Sequence, residues 1–198
     1  WFNYGNAGGG VEDAADDGAR ARAGQTGVNK ILSWGFDAVS DPGYGGVGKE
    51  FTTPADFTGF TGIQFWFFGS GEGGELQVEI GEDKTNDVER YRSAPFKDDQ
   101  AGWRLIKLPF SSFGAGEYNP QPGNGTLDLT SVSNVVWAAN SGKTTGGVAL
   151  DDIALYYDGR LPASGTSSTG TTSSLAIMLI IAGIGLAVIG QTRRRISD

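Results

Sequence analysis

Hydrophobic and polar positions alternate in several short stretches of the first 157 residues. Residues 75–80 alternate strictly, with Leu76, Val78 and Ile80 on one side and Glu75, Gln77 and Glu79 on the other. A period of two predicts a strand with one buried face. Residues 30–36 put Leu32, Trp34 and Phe36 on one side. Residues 63–68 are mostly apolar on both sides, as a central strand covered by a second layer requires. Further strands are predicted at 88–93, 103–108, 135–139 and 148–157, with turn residues between them at 41–43, 71–74 and 120–125. Helical spacing extends to one turn at most, near 129–133. Many short strands without helices predict an all-β chain, a jelly-roll β-sandwich.

The pattern changes after residue 160. Residues 161–174 form a Ser/Thr/Gly-rich flexible linker, 175–190 an unbroken run of apolar and small residues, and 191–198 a basic tail with Arg193, Arg194 and Arg195. As a helix the run spans roughly 24 Å, and snorkelling arginines extend its reach, so one C-terminal transmembrane helix is expected. Positive residues stay on the cytoplasmic side, which places residues 1–160 outside the cell. The linker opens with Leu161-Pro162-Ala163-Ser164-Gly165. With the apolar run and basic tail behind it, this resembles the LPxTG-like sorting signal of sortase-anchored Gram-positive surface proteins, Ser164 standing where that family usually has Thr. The resemblance implies a sortase as partner, cleavage between Ser164 and Gly165, and attachment to the cell wall. A permanent membrane anchor is the alternative.

All 22 aromatic residues precede residue 158, so residues 1–160 carry the material of one core. Glycine supplies 33 of 198 positions, well above the usual ~7% and without a collagen-like period, which suits many tight turns. The chain has no cysteine and no histidine. That removes disulfides, thiolate metal sites, and every Ser-His or Cys-His catalytic arrangement. Formal net charge is −8, with +2 in the tail and therefore −10 in residues 1–160. So acidic a surface repels nucleic acid and anionic lipid. The chain begins at Trp1 without a Met, as the far end of a larger protein would.

A succession of blocks then becomes informative. Phe57-Thr-Gly-Phe-Thr-Gly-Ile-Gln-Phe-Trp-Phe is followed by Arg90-Tyr91-Arg92 and Phe96-Lys97-Asp98-Asp99. Gly102-Trp103-Arg-Leu-Ile-Lys-Leu-Pro109-Phe110-Ser-Ser-Phe113 and Val148-Ala-Leu-Asp151-Asp152-Ile153 come next. In order and spacing they resemble the family 11 carbohydrate-binding modules and their galactose-binding-like jelly-roll relatives. Domains of that type open with an acidic-aromatic strand before a Trp, so the first strand is expected to be truncated here. The resemblance implies a non-catalytic module for polysaccharide of the β-glucan class, commonly appended to a glycoside hydrolase. A surface adhesion or spacer domain with a protein partner or no ligand is the alternative.

Sugar recognition needs flat aromatic faces beside planar polar groups. The candidates are Tyr44 in a glycine-rich loop, the Arg90-Tyr91-Arg92 stretch, Tyr118 and Trp137. Alternation sends Tyr91 to one face and both arginines to the other, and Trp137, between Val136 and Ala138, reads first as core; Trp66 and Trp103 are assigned to the core. In the last strand Asp151 shares parity with Ile153, and Asp152 with Leu150, so one carboxylate is expected to need a buried partner. Structural calcium would supply one, with Asp151, Asp17 and Glu12 as ligands, and related jelly rolls often hold calcium between these regions. Glu79, Glu89 and Asp99 are available carboxylates, but nothing singles out a catalytic pair.

Overall fold

The alternating segments do pair as strands, and glycine-rich stretches with no alternation pair alongside them. In chain order the strands are β1 (Phe2–Gly5), β2 (Ala7–Asp13), β3 (Lys30–Asp37), β4 (Tyr44–Ala55), β5 (Gly62–Ser70) and β6 (Gly74–Lys84). They continue as β7 (Asp87–Arg92), β8 (Phe96–Asp98), β9 (Ala101–Pro109), β10 (Gly114–Ala115), β11 (Val132–Asn140) and β12 (Thr145–Tyr156). The computed structural model describes residues 1–13, 22, 30–40, 43–84, 87–115, 125–140 and 145–159. Among them only one short helical element occurs, the 3-10 turn Phe110–Ser112. The segment near 129–133 is a turn leading into β11. No helix of the described residues is long and apolar enough to cross a membrane. The linker, the apolar run and the basic tail all lie outside the described residues.

Two antiparallel sheets face each other. The seven-stranded sheet has the order β1-β4-β11-β6-β7-β10, with β8 also on β6; the five-stranded sheet has the order β2-β3-β12-β5-β9. Alternation puts Leu76, Val78 and Ile80 of β6 inside, and β11 adds Val135, Trp137 and Ala139 beside them. From the other sheet come Trp34, Phe65, Phe67 and Leu150. Rings from the two sheets meet edge to face where Phe65 and Trp137 stand 5.6 Å apart at 89°. Each such buried side chain contributes about 1.5–3 kcal/mol.

The first thirteen residues belong to both sheets. The chain runs along β4 as β1, turns at Gly5 and Asn6, and runs along β3 as β2. Gly5 sits at φ +60°, and a Cβ there would lie 2.4 Å from the Tyr44 carbonyl, so only glycine makes this crossing. Asn6 secures it: its N–H donates to the Tyr44 carbonyl, and its own carbonyl accepts from Asp37 N–H.

The alternation argument fails in β12. Asp151 pairs with Trp66 and Ala154 with Gln64, so three residues of β12 span two of β5. The extra residue is Asp152, held at φ +44°. This bulge lets Leu150 and Ile153 both face the core. Trp66 and Trp103, expected inside, are half-buried on the outer face of the five-stranded sheet. There Trp103 packs with Phe68 beside Ile31 and Ala149.

Candidate functional site

The outer face of the seven-stranded sheet is built in rows that the register sets. Phe2, Gly48, Val136, Glu79 and Arg92 form one row across β1, β4, β11, β6 and β7. The next holds Tyr4, Gly46, Ala138 and Gln77; on the other side lie Glu50, Asn134, Gly81 and Arg90. Glycine decides the relief. The Tyr4 ring rests on Gly46, where a Cβ would meet ring carbons at 2.4 Å, and the Phe2 ring rests on Gly48, where a Cβ would meet it at 2.6 Å. Tyr44 completes this aromatic side, its ring centroid 6.0 Å from that of Tyr4. Short side chains, Val136 and Ala138, form the middle of the face, and longer polar ones rise again at Gln77, Glu79, Arg90 and Arg92. The relief is a shallow trough with one aromatic wall and one polar wall, and its floor residues Val136 and Ala138 are themselves buried, 4% and 0% exposed.

The polar wall is internally braced. Arg92 Nε lies 2.8 Å from Glu79 Oε1, and the Glu79 side chain is only 3% exposed. Gln77 donates from Nε2 to the Ser93 carbonyl at 3.2 Å. The two walls sense each other: burial pushes the Tyr4 hydroxyl well above the ordinary tyrosine range, and Glu79 raises it further, while Arg90 and Arg92 pull it down. A rigid ring face opposite fixed donors and acceptors can take a neutral ligand with one apolar surface and hydroxyls at its edges. Among the described residues, the carboxylates considered from the sequence do not come together as a pair. Glu79 and Glu89 lie on opposite faces of one sheet, and Asp99 is paired with Arg104 at 2.5 Å.

The carbohydrate binding domain of family 11 matches residues 4–158. The chain belongs to that family. A family 11 domain is a non-catalytic carbohydrate-binding module. No curated protein matches the chain. Among solved structures it is similar to the family 11 module from Clostridium thermocellum in complex with a β-1,3-1,4-mixed-linked tetrasaccharide, at 24% identity and a TM-score of 0.59. That alignment covers 79% of this chain and 86% of the other. The family 11 module of the cellulosomal cellulase Lic26A-Cel5E of the same organism is similar at 23% identity, with the same coverage and TM-score. These likenesses establish the jelly-roll fold.

In this family 11 domain the residues singled out from sequence separate by face. Tyr44, 43% exposed, Arg90 and Arg92 share the outer face. Tyr91 and Trp137 are corrected to core. They are 2% and 1% exposed because Tyr91 opposes Ile80 and Trp137 opposes Val78, both inward positions. Tyr118 lies outside the described residues. Tyr44 begins a twelve-residue strand rather than a loop. Phe2, Tyr4 and Gln77 were not singled out; the spacing of Phe2 and Tyr4 by two, opposite a Gly-x-Gly, was the available signal. Glu79, on the side that the alternation leaves outside the core, is nonetheless buried.

Asp151 is the expected calcium ligand in the last strand. That side chain is 4% exposed, and its Oδ2 accepts from Arg22 Nε and Nη2, each at 3.4 Å. Arg22 also pairs with Asp152. A guanidinium thus stands where a cation would, and no group of three or more metal-ligating side chains occurs among the described residues. Glu12 lies in β2 opposite Ile31, and Asp17 lies outside the described residues. Of the three expected ligands only the Asp151 side chain is among the described residues, and there it meets Arg22.

Proposed function

We propose that the trough binds a β-glucan chain of mixed 1,3-1,4 linkage, without cleaving it. The observation that carries this reading is the Tyr4–Tyr44 pair set on a glycine floor and facing the Glu79–Arg92 pair. Pyranose rings present apolar C–H faces that lie against tyrosine, and equatorial hydroxyls that meet guanidinium and carboxamide groups. The ligand of the Clostridium thermocellum module supports the linkage. Isothermal titration with the mixed-linked tetrasaccharide tests it. Tyr44→Ala is expected to weaken binding about tenfold, the loss of roughly 1.4 kcal/mol of ring contact. Equal affinity in Tyr44→Ala and wild type sinks the placement. No binding of any β-glucan sinks the ligand class and favours an adhesion or spacer domain instead.

The proposal extends to location. The sorting-like Leu161–Gly165 segment, the apolar run and the three arginines support a module held at the cell surface, wall-linked after cleavage at Ser164. Mass spectrometry of wall-released protein reads this directly: a C-terminus at Ser164 supports it, and one that retains Arg195 overturns it.

A further inference from the structure

We infer that Arg22 holds the place of a divalent cation at the Asp151–Asp152 bulge, so that this domain folds independently of calcium. A regular strand would send consecutive carboxylates to opposite faces. The bulge in β12 instead brings both to one guanidinium: Asp151 Oδ2 takes Nε and Nη2 at 3.4 Å, and Asp152 pairs with Nη2. Asp151 is buried, and a buried carboxylate requires a compensating charge. Asp152 is the only non-glycine residue at positive φ among the described residues, a conformation that persists only where its surroundings hold it.

The third side of the site identifies the kind of cation. The Arg22 guanidinium lies over the Trp66 ring, 4.8 Å from its centroid. A planar, forked, weakly hydrated cation uses all three partners, two carboxylates and an aromatic face. Calcium uses only two of them. It requires six to eight oxygens at about 2.3–2.6 Å, and Trp66 on that side offers carbon and no oxygen ligand. Arg22 is 15% exposed at its side chain and Asp152 30%, so the charge left over on the pair has access to water.

The inference is separate from the glucan reading, since its test measures stability with no sugar present. Thermal unfolding of the purified full chain is followed in EDTA and in excess CaCl2. The two midpoints are expected to coincide for wild type. R22Q is expected to lower the midpoint by about 6–12 °C, because the buried carboxylate loses the Arg22 charge. R22K is expected to recover only part of the loss, having charge without fork or stacking plane. If R22Q does not fold, the R22K midpoint carries the comparison. A wild-type midpoint that rises with calcium overturns the inference, as does an R22Q or R22K midpoint equal to wild type.

Discussion

Charge buried in the polar wall makes a prediction that can be worked through. Glu79 is 3% exposed and Arg92 21%, with Nε and Oε1 2.8 Å apart. With charge centres about 4 Å apart, the gross attraction is about 4 kcal/mol at an effective dielectric of 20. Desolvation of the carboxylate removes much of this, leaving a coupling of about 1.5–2.5 kcal/mol. The single variants should differ. R92M leaves a buried carboxylate without its guanidinium and should cost about 3 kcal/mol. E79Q leaves an arginine that reaches water and should cost about 1 kcal/mol. Arg92 makes further contacts, so the double-mutant cycle, rather than either single variant, reads the pair. Urea unfolding of wild type, E79Q, R92M and the double variant is the assay, in low salt and in 0.5 M NaCl. A coupling below about 0.5 kcal/mol, or one abolished by salt, would show a screened surface pair and refute the reasoning.

Two further outcomes follow from burial. W137F should destabilise the domain by about 2 kcal/mol in urea, through the space left beside Phe65, while glucan affinity of the folded protein stays within twofold of wild type. The Tyr4 hydroxyl, raised by burial and by Glu79, should titrate after ordinary tyrosines. Its folded pKa lies above the unfolded value of about 10, so its contribution to stability is complete below pH ~10 and is lost as pH rises through the folded value. Alkaline ultraviolet titration checks this: Y4F should lose amplitude only from the last step, and loss from the main step would contradict the placement.

Strands made of alternating bulky residues were legible because every second side chain enters the core. The strand containing Leu76, Val78 and Ile80 is the clear case, and its outward partners form one wall of the trough. Strands β1, β2 and β4 were not legible. Their glycines give no hydrophobic signature, and a segment such as Gly45-Gly46-Val47-Gly48 looks like a turn until neighbouring rings are seen resting on it. Parity correctly separated Tyr91 from Arg90 and Arg92, yet parity alone does not say which set faces the core. That depends on Ile80 and Gly81 opposite them. In β12 parity misled, because one extra residue at Asp152 reverses every assignment beyond it.

The glycine floor also bears on how this domain tolerates change. At Gly46 and Gly48 the backbone makes no unusual demand; what matters is volume, since the space a methyl group would take already belongs to Tyr4 and Phe2. Substitution there competes with the aromatic wall for the same cubic ångströms. A comprehensive variant library should therefore find these two surface-sheet positions as unforgiving as the interior, Gly46 forgiving again only when the Tyr4 ring is made smaller, and Gly48 only when Phe2 and Val136 are both made smaller. Such paired changes are a route by which the trough could be reshaped for another polymer without disturbing the core beneath it.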